Sequence, residues 1–178
     1  MRFKLLSSVA YAALVMLTVE TSAQNAAAPA NPLDAVPEKM PFANAYGAPI
    51  GLAKAQAAMA ATMAEATKRG WPIVVVVYDS GANLVAVSRM DGAQLGSIAI
   101  AEHKARVAVK YRRESRAFED AVQLRQFNYI LSLDDVVASR GGIPLIEDGK
   151  IIGAIGCSGA TGSQDEVLCK VGAATINK

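Results

Sequence analysis

Four charged side chains and one imidazole stand where chemistry could be done: Asp79, Arg89, Asp91, Lys104 and His103. Arg89-Met90-Asp91-Gly92-Ala93 brackets a methionine with opposite charges at the end of an apolar run. Such a group can orient a small acidic ligand. Charges at element ends more commonly pair with each other, here Arg89 with Asp91 or with Asp79. If the helix carrying Lys104 packs over that end of the sheet, Lys104 approaches Arg89 and Asp91. The two cations would then hold carboxylates, haem propionates included. Asp79 or Asp91 would be the general base of a reaction on an organic acid. His103 is the chain's single histidine and so the one imidazole able to ligate haem iron. A lone helix histidine is more often an ordinary surface or half-buried residue. The loop Gly156–Gly162 completes the constellation, with Gly156, Ser158 and Gly159 as its ligand-facing candidates.

Several chemistries are argued against. A protein-only metal cage needs clustered His, Cys or carboxylates, and here there is one His and no C-x-x-C. There is no G-x-S-x-G elbow for acyl transfer and no G-x-G-x-x-G or Walker pattern. Gly156-x-x-Gly159-x-x-Gly162 leads into a helix start, a generic anion site. Asp165 and Glu166 already place negative charge there.

The elements that must position these residues are read from pattern. Gly141–Glu166 is the clearest stretch: the run Pro144–Glu147, a two-residue Asp148-Gly149 turn, the return strand Lys150–Cys157, then the glycine loop. Ser163 with Glu166 three residues on reads as a capping box opening a last helix, about Gln164–Ile176. Gly153, Gly156 and Gly159 leave room for a neighbouring helix, another subunit or a ligand to lie against the backbone.

Upstream, Ile50–Arg69 is helical, with Leu52, Gln56, Met59, Met63 and Ala66 as its stripe and Gly70 as its stop. Met59 and Met63 are core by default and a haem-facing pair only by exception. Trp71–Tyr78 is a strand apolar on both faces, hence central. It turns through Asp79–Asn83 and returns as Leu84–Ser88. A second helix runs from Ser97, its cap, to about Arg112, with Ile98, Ala101, Ala105 and Ala108 as a narrow small-residue stripe. Lys110, Arg112 and Arg113 load its C-terminal end. Ser115–Gln126 is a shorter helix, Asn128–Leu131 is ambiguous, and Val136–Ser139 reads as a brief strand. Hairpin-linked strands give an antiparallel sheet of about five strands with helices on its faces, an α+β fold.

Residues 1–23 read as a secretory signal. Arg2 and Lys4 precede an apolar stretch too short to span a bilayer comfortably, and Thr21-Ser22-Ala23 offers a cleavage site before Gln24. Export to the periplasm or medium follows, with no stable membrane insertion. Residues 24–46, rich in Ala and Pro, read as an extended, mobile arm, and 47–178 as one domain. The mature chain carries 16 basic against 15 acidic side chains, which gives no field for nucleic acid. Export would permit a bond between Cys157 and Cys169. Two buried, unlinked thiols are the preferred reading.

Much of the chain also resembles a known family. The carriers are Tyr46-Gly47, Val77–Leu84, Arg89–Ala93, Ala101-x-x-Lys104-Ala105-Arg106, Gly141–Pro144, Asp148–Gly159 and Gln164-Asp165-Glu166. In this order they resemble the GlcG/HbpS family, the haem-degrading or haem-binding domain found also at the C-terminus of PduO-type corrinoid adenosyltransferases. The resemblance implies a profilin-like fold, homo-oligomers, and haem as cofactor or ligand. It places the family's charged positions on Asp79, Arg89, Asp91, Lys104 and Asp165. Val107 stands where relatives carry Thr, and His103 is not carried over. Three readings follow: an exported haem protein for binding, sensing or breakdown; a cofactor-free enzyme or binding module for a small organic acid; and an accessory oligomer without its own ligand.

Overall fold

A computed structural model describes residues 36–177 except 41 and 43. The proposed signal and most of the proposed arm lie outside the described residues. Within the compact unit that starts at Pro37, the elements are β1 (Ala45–Tyr46), α1 (Leu52–Arg69), β2 (Val74–Asp79), β3 (Leu84–Arg89), α2 (Ser97–Lys110), α3 (Arg116–Arg125), a 3-10 turn (Asn128–Ser132), β4 (Gly142–Glu147), β5 (Lys150–Ser158) and α4 (Gly162–Ala173). The α+β expectation holds.

β5 is the hub of the sheet. It pairs antiparallel with β4 along one edge and with β2 along the other, and β2 pairs antiparallel with β3. The fifth strand departs from the expected antiparallel set. β1 runs parallel to β5, pairing Ala45 with Lys150 and Tyr46 with Ile151, just where β2 has run out. The end of the expected mobile arm is therefore pinned to the domain. The Tyr46 hydroxyl reinforces this by donating to the carbonyls of Val109 and Lys110, 2.9 and 3.0 Å away, at the C-terminus of α2.

The all-valine run of β2 is explained by its place: it is central, and each face lies under a helix layer. Val75 and Val77 pack with α1 and α4 residues, Ala58, Met59 and Leu168 among them. Val74 and Val76 pack with Ala101, Ala105 and Ala108 of α2. Met59 is core, as its spacing suggests. The α1 stripe itself is rotated from expectation. Ala55, Ala58, Met59, Thr62 and Ala66 are buried, while Leu52 is 52% exposed. Alanines face inward because the close approach of α4 leaves no space for larger groups: a Cβ on Gly172 would stand 2.6 Å from the Ala58 carbonyl.

Three local readings are corrected. α4 is capped by Thr161, whose hydroxyl accepts from Gln164 N while the Gln164 side chain accepts from Thr161 N. The Ser163–Glu166 box does not form. Ser97 is the first residue of α2 after Gly96, and its buried hydroxyl has no hydrogen-bond partner among the described residues. Val136–Ser139 is irregular, not a strand. It is tied down at Ser139, whose carbonyl accepts from the Ser115 hydroxyl. The thiols are also not free: Cys157 of β5 and Cys169 of α4 form a disulfide. The β5 face that carries Cys157 is the face on which α4 lies, so the two side chains converge.

Candidate functional site

α2 lies unusually close to the sheet, and glycine is the reason. A Cβ on Gly142 would meet the Lys104 carbonyl at 2.0 Å, and one on Gly156 would meet the Ala101 carbonyl at 2.2 Å. The space above Gly156 therefore belongs to the protein's own helix, not to a ligand. Gly159 is filled the same way, by Pro72 and Ile73 of the segment before β2.

That approach buries Lys104 completely. Its ammonium donates to Asp165 Oδ2 at 2.8 Å, with the two side chains 1% and 2% exposed. Asp165 Oδ1 accepts from Ala160 N. Burial pushes the Asp165 carboxyl above its usual range, opposed by the Lys104 charge and hydrogen bond. Asp165 and Ser158, also buried, thus belong to the interior beneath α2 and the start of α4.

The expected meeting of Lys104 with Arg89 and Asp91 does not occur. In the β2 register Val74 lies opposite both Arg89 and Ser158, so Arg89 shares the α2 side of the sheet with them. Lys104 sits over β4, and β5 and β2 lie between the two cations. Arg89 and Asp91 are both exposed, and among the described residues neither forms an ion pair. Asp79 is committed to the turn: its Oδ1 accepts from the backbone N–H groups of Gly81 and Asn83, at 2.8 and 2.9 Å.

His103, one residue from Lys104, points elsewhere. It is half-buried and lines an apolar hollow of about 300 Å3 with Ala99, Ile100, Val136 and Val137. Nδ1 lies 3.2 Å from the Asp135 carbonyl. A carbonyl can only accept, so Nδ1 is the donor in this hydrogen bond, and Nε2 is the ring nitrogen not engaged by it. This is the arrangement that orients a metal-ligating histidine. Asp135 is held by Arg106 at 3.0 Å and by Lys110. The Lys110 hydrogen bond, with the nearby Arg106 and Lys110 charges, keeps its carboxyl below the ordinary range. Sequence reasoning missed Asp135 and the two valines after it. Their part depends on Asp135 adopting a left-handed backbone, φ +63, which an aspartate tolerates. Among the described residues no group of three or more His, Cys, Asp or Glu could hold a metal ion.

Comparison with known proteins adds the lineage. Residues 50–174 match the model of the "Haem degrading protein HbpS-like" family. The chain belongs to that family. It is 38% identical to Protein GlcG of Escherichia coli K12 over 104 residues, 58% of this chain and 77% of GlcG. Among solved structures, a double mutant of Streptomyces reticuli HbpS superposes with a TM-score of 0.69 at 26% identity, covering 80% of this chain and 100% of HbpS. A PduOC–haem complex gives 0.67 at 28%, covering 72% and 96%. Both solved structures share this chain's α+β fold.

Proposed function

We propose that this chain is an exported haem-binding protein, with His103 as the iron ligand. One observation carries the reading: an imidazole beside an apolar hollow whose Nδ1–H is held by a backbone carbonyl, leaving Nε2 as the nitrogen for a ligand. A porphyrin edge or face suits apolar walls, and iron suits imidazole. The relatedness to HbpS and to a PduOC–haem complex supports it. When bound, haem would supply iron chemistry; the chain's own part is to orient His103 through Asp135 and keep one side of the macrocycle dry. The hollow is shallow, so a second copy of the chain would cover the other side, in keeping with a homo-oligomer. Hemin titration of purified protein at micromolar concentration should give a shifted Soret band, and His103→Ala should alter that spectrum. An absent shift sinks the proposal; an unchanged variant spectrum removes His103 from it.

Export is part of the same reading. The Cys157–Cys169 bond supports it, because such bonds persist in oxidising compartments. Mass spectrometry of protein recovered from a periplasmic extract should find a chain beginning at Gln24. A chain retaining Met1 would overturn the export step.

A further inference from the structure

α3 and the 3-10 turn enclose a second cavity, of about 510 Å3, which shares no lining residue with the His103 hollow. Arg113, Phe118, Arg125, Phe127, Tyr129 and Ile130 line it. Its volume is within the range of small-molecule sites. Its walls are aromatic, and its two cations are without carboxylates. Arg113 donates from Nε to the Tyr111 carbonyl, and its guanidinium stacks on Phe42 and Phe118, 4.5 and 5.5 Å from the ring centres. Among the described residues neither Arg113 nor Arg125 forms an ion pair. The one carboxylate in the lining, Asp120, is engaged elsewhere, by Arg116 at 3.4 Å and Arg140 at 3.6 Å.

A half-buried guanidinium without a counter-ion is unfavourable, because burial removes water from a charge that nothing repays. Desolvation accordingly pushes the Arg113 guanidinium below its usual range. Arginine beside aromatic rings is a pairing suited to flat anions: the fork takes a carboxylate in two parallel hydrogen bonds and the rings stack on the ligand's π-system. We infer that this cavity binds planar aromatic carboxylates, with Arg125 and Arg113 on the carboxylate and Phe127 and Tyr129 against the ring. The site is separate from the His103 hollow and needs no iron, so it stands or falls independently of the haem reading.

Calorimetric titration of the full chain at low salt, using naphthalene-2,6-dicarboxylate as the probe and its neutral diamide as control, tests the assignment. Arg125 and Tyr129 are exposed, so Arg125→Ala and Tyr129→Ala leave the core intact. The dicarboxylate should bind saturably, at least tenfold more tightly than the diamide. Arg125→Ala should weaken it about tenfold, Tyr129→Ala several-fold, and His103→Ala not at all. Absent saturation, equal affinity for dicarboxylate and diamide, or an Arg125→Ala variant binding like the parent overturns the proposal.

Discussion

At the scale of single residues, Lys104 shows how far a side chain's role depends on what lies outside its own helix. From the sequence it reads as a cation that joins Arg89 in holding a carboxylate ligand. Its partner Asp165 is 61 residues away, and only the glycines at 142 and 156 bring the helix low enough for the two to meet. Removing one member leaves an uncompensated buried charge, which costs roughly 3–5 kcal/mol, whereas replacing both with apolar groups of similar volume is often close to neutral. Lys104→Ala should therefore lower unfolding stability in urea by about 3–5 kcal/mol, and Lys104→Met with Asp165→Leu should recover most of it. A double variant no more stable than Lys104→Ala would show that an uncompensated Asp165 charge is not the source of the loss. Glu119 gives a pH prediction. Its carboxylate is partly buried, which alone would raise it. The Arg140 side-chain and backbone hydrogen bonds, at 2.7 Å each, outweigh burial and hold it below its ordinary range. A carboxyl depressed in the folded state adds stability above its unfolded value, about 4.3, and loses it as pH falls through the folded value. The melting temperature should fall in that acid range, and Glu119→Gln should flatten the fall. An unaltered acid limb would show that Glu119 does not contribute to it.

At the scale of elements, the strongest local signals were legible. Asp148-Gly149 does turn β4 into β5, with φ of +48 and +71 at the two residues, and Gly70 ends α1 in the left-handed conformation at φ +68. Less legible were features set by packing. The face of α1 turns on which neighbour it meets, and the cap of α4 falls on Thr161 rather than Ser163 because it is Thr161 that keeps an extended backbone, φ −70 and ψ 154, while Ser163 already lies within the helix. The disulfide is of this kind too. Its cysteines are 12 residues apart in sequence with Cα atoms 5.8 Å apart, a distance no spacing rule supplies. Closing a loop of that size restricts the unfolded chain by about 3 kcal/mol on an entropic account. Reduction, or replacement of both cysteines by alanine, should lower stability by about 2–4 kcal/mol, read from the urea midpoint with and without reductant. Thiol titration of the unfolded, unreduced chain should find none free; two free thiols would remove the bond. Gly156→Ala should do more, because the new methyl would stand 2.2 Å from the Ala101 carbonyl of α2 and force that helix off the sheet, and a variant as stable as the parent would contradict the packing.

At the scale of the whole molecule, sheet order decided what sequence order could not. The candidate residues Arg89, Lys104 and the glycine loop follow one another along the chain in an order that a hairpin-rich sheet could gather into one hollow. The observed order puts β2 and β5 between the two cations, seats α2 on Gly156 where a ligand would have lain, and sends Lys104 inward to Asp165. Two neighbours on one helix, His103 and Lys104, consequently face different environments, one an open hollow and the other the interior. This separation makes the two ligand hypotheses experimentally distinct. If haem sits at the His103 hollow, Arg89→Ala, two strands from α2's contact with β5 and free of any ion pair among the described residues, should leave the hemin titration unchanged, while His103→Ala alters it. If carboxylate recognition at the end of β3 held the propionates instead, Arg89→Ala would weaken hemin severalfold and His103→Ala would be silent. The geometry favours the first outcome, because only His103 combines an available ring nitrogen with an apolar wall.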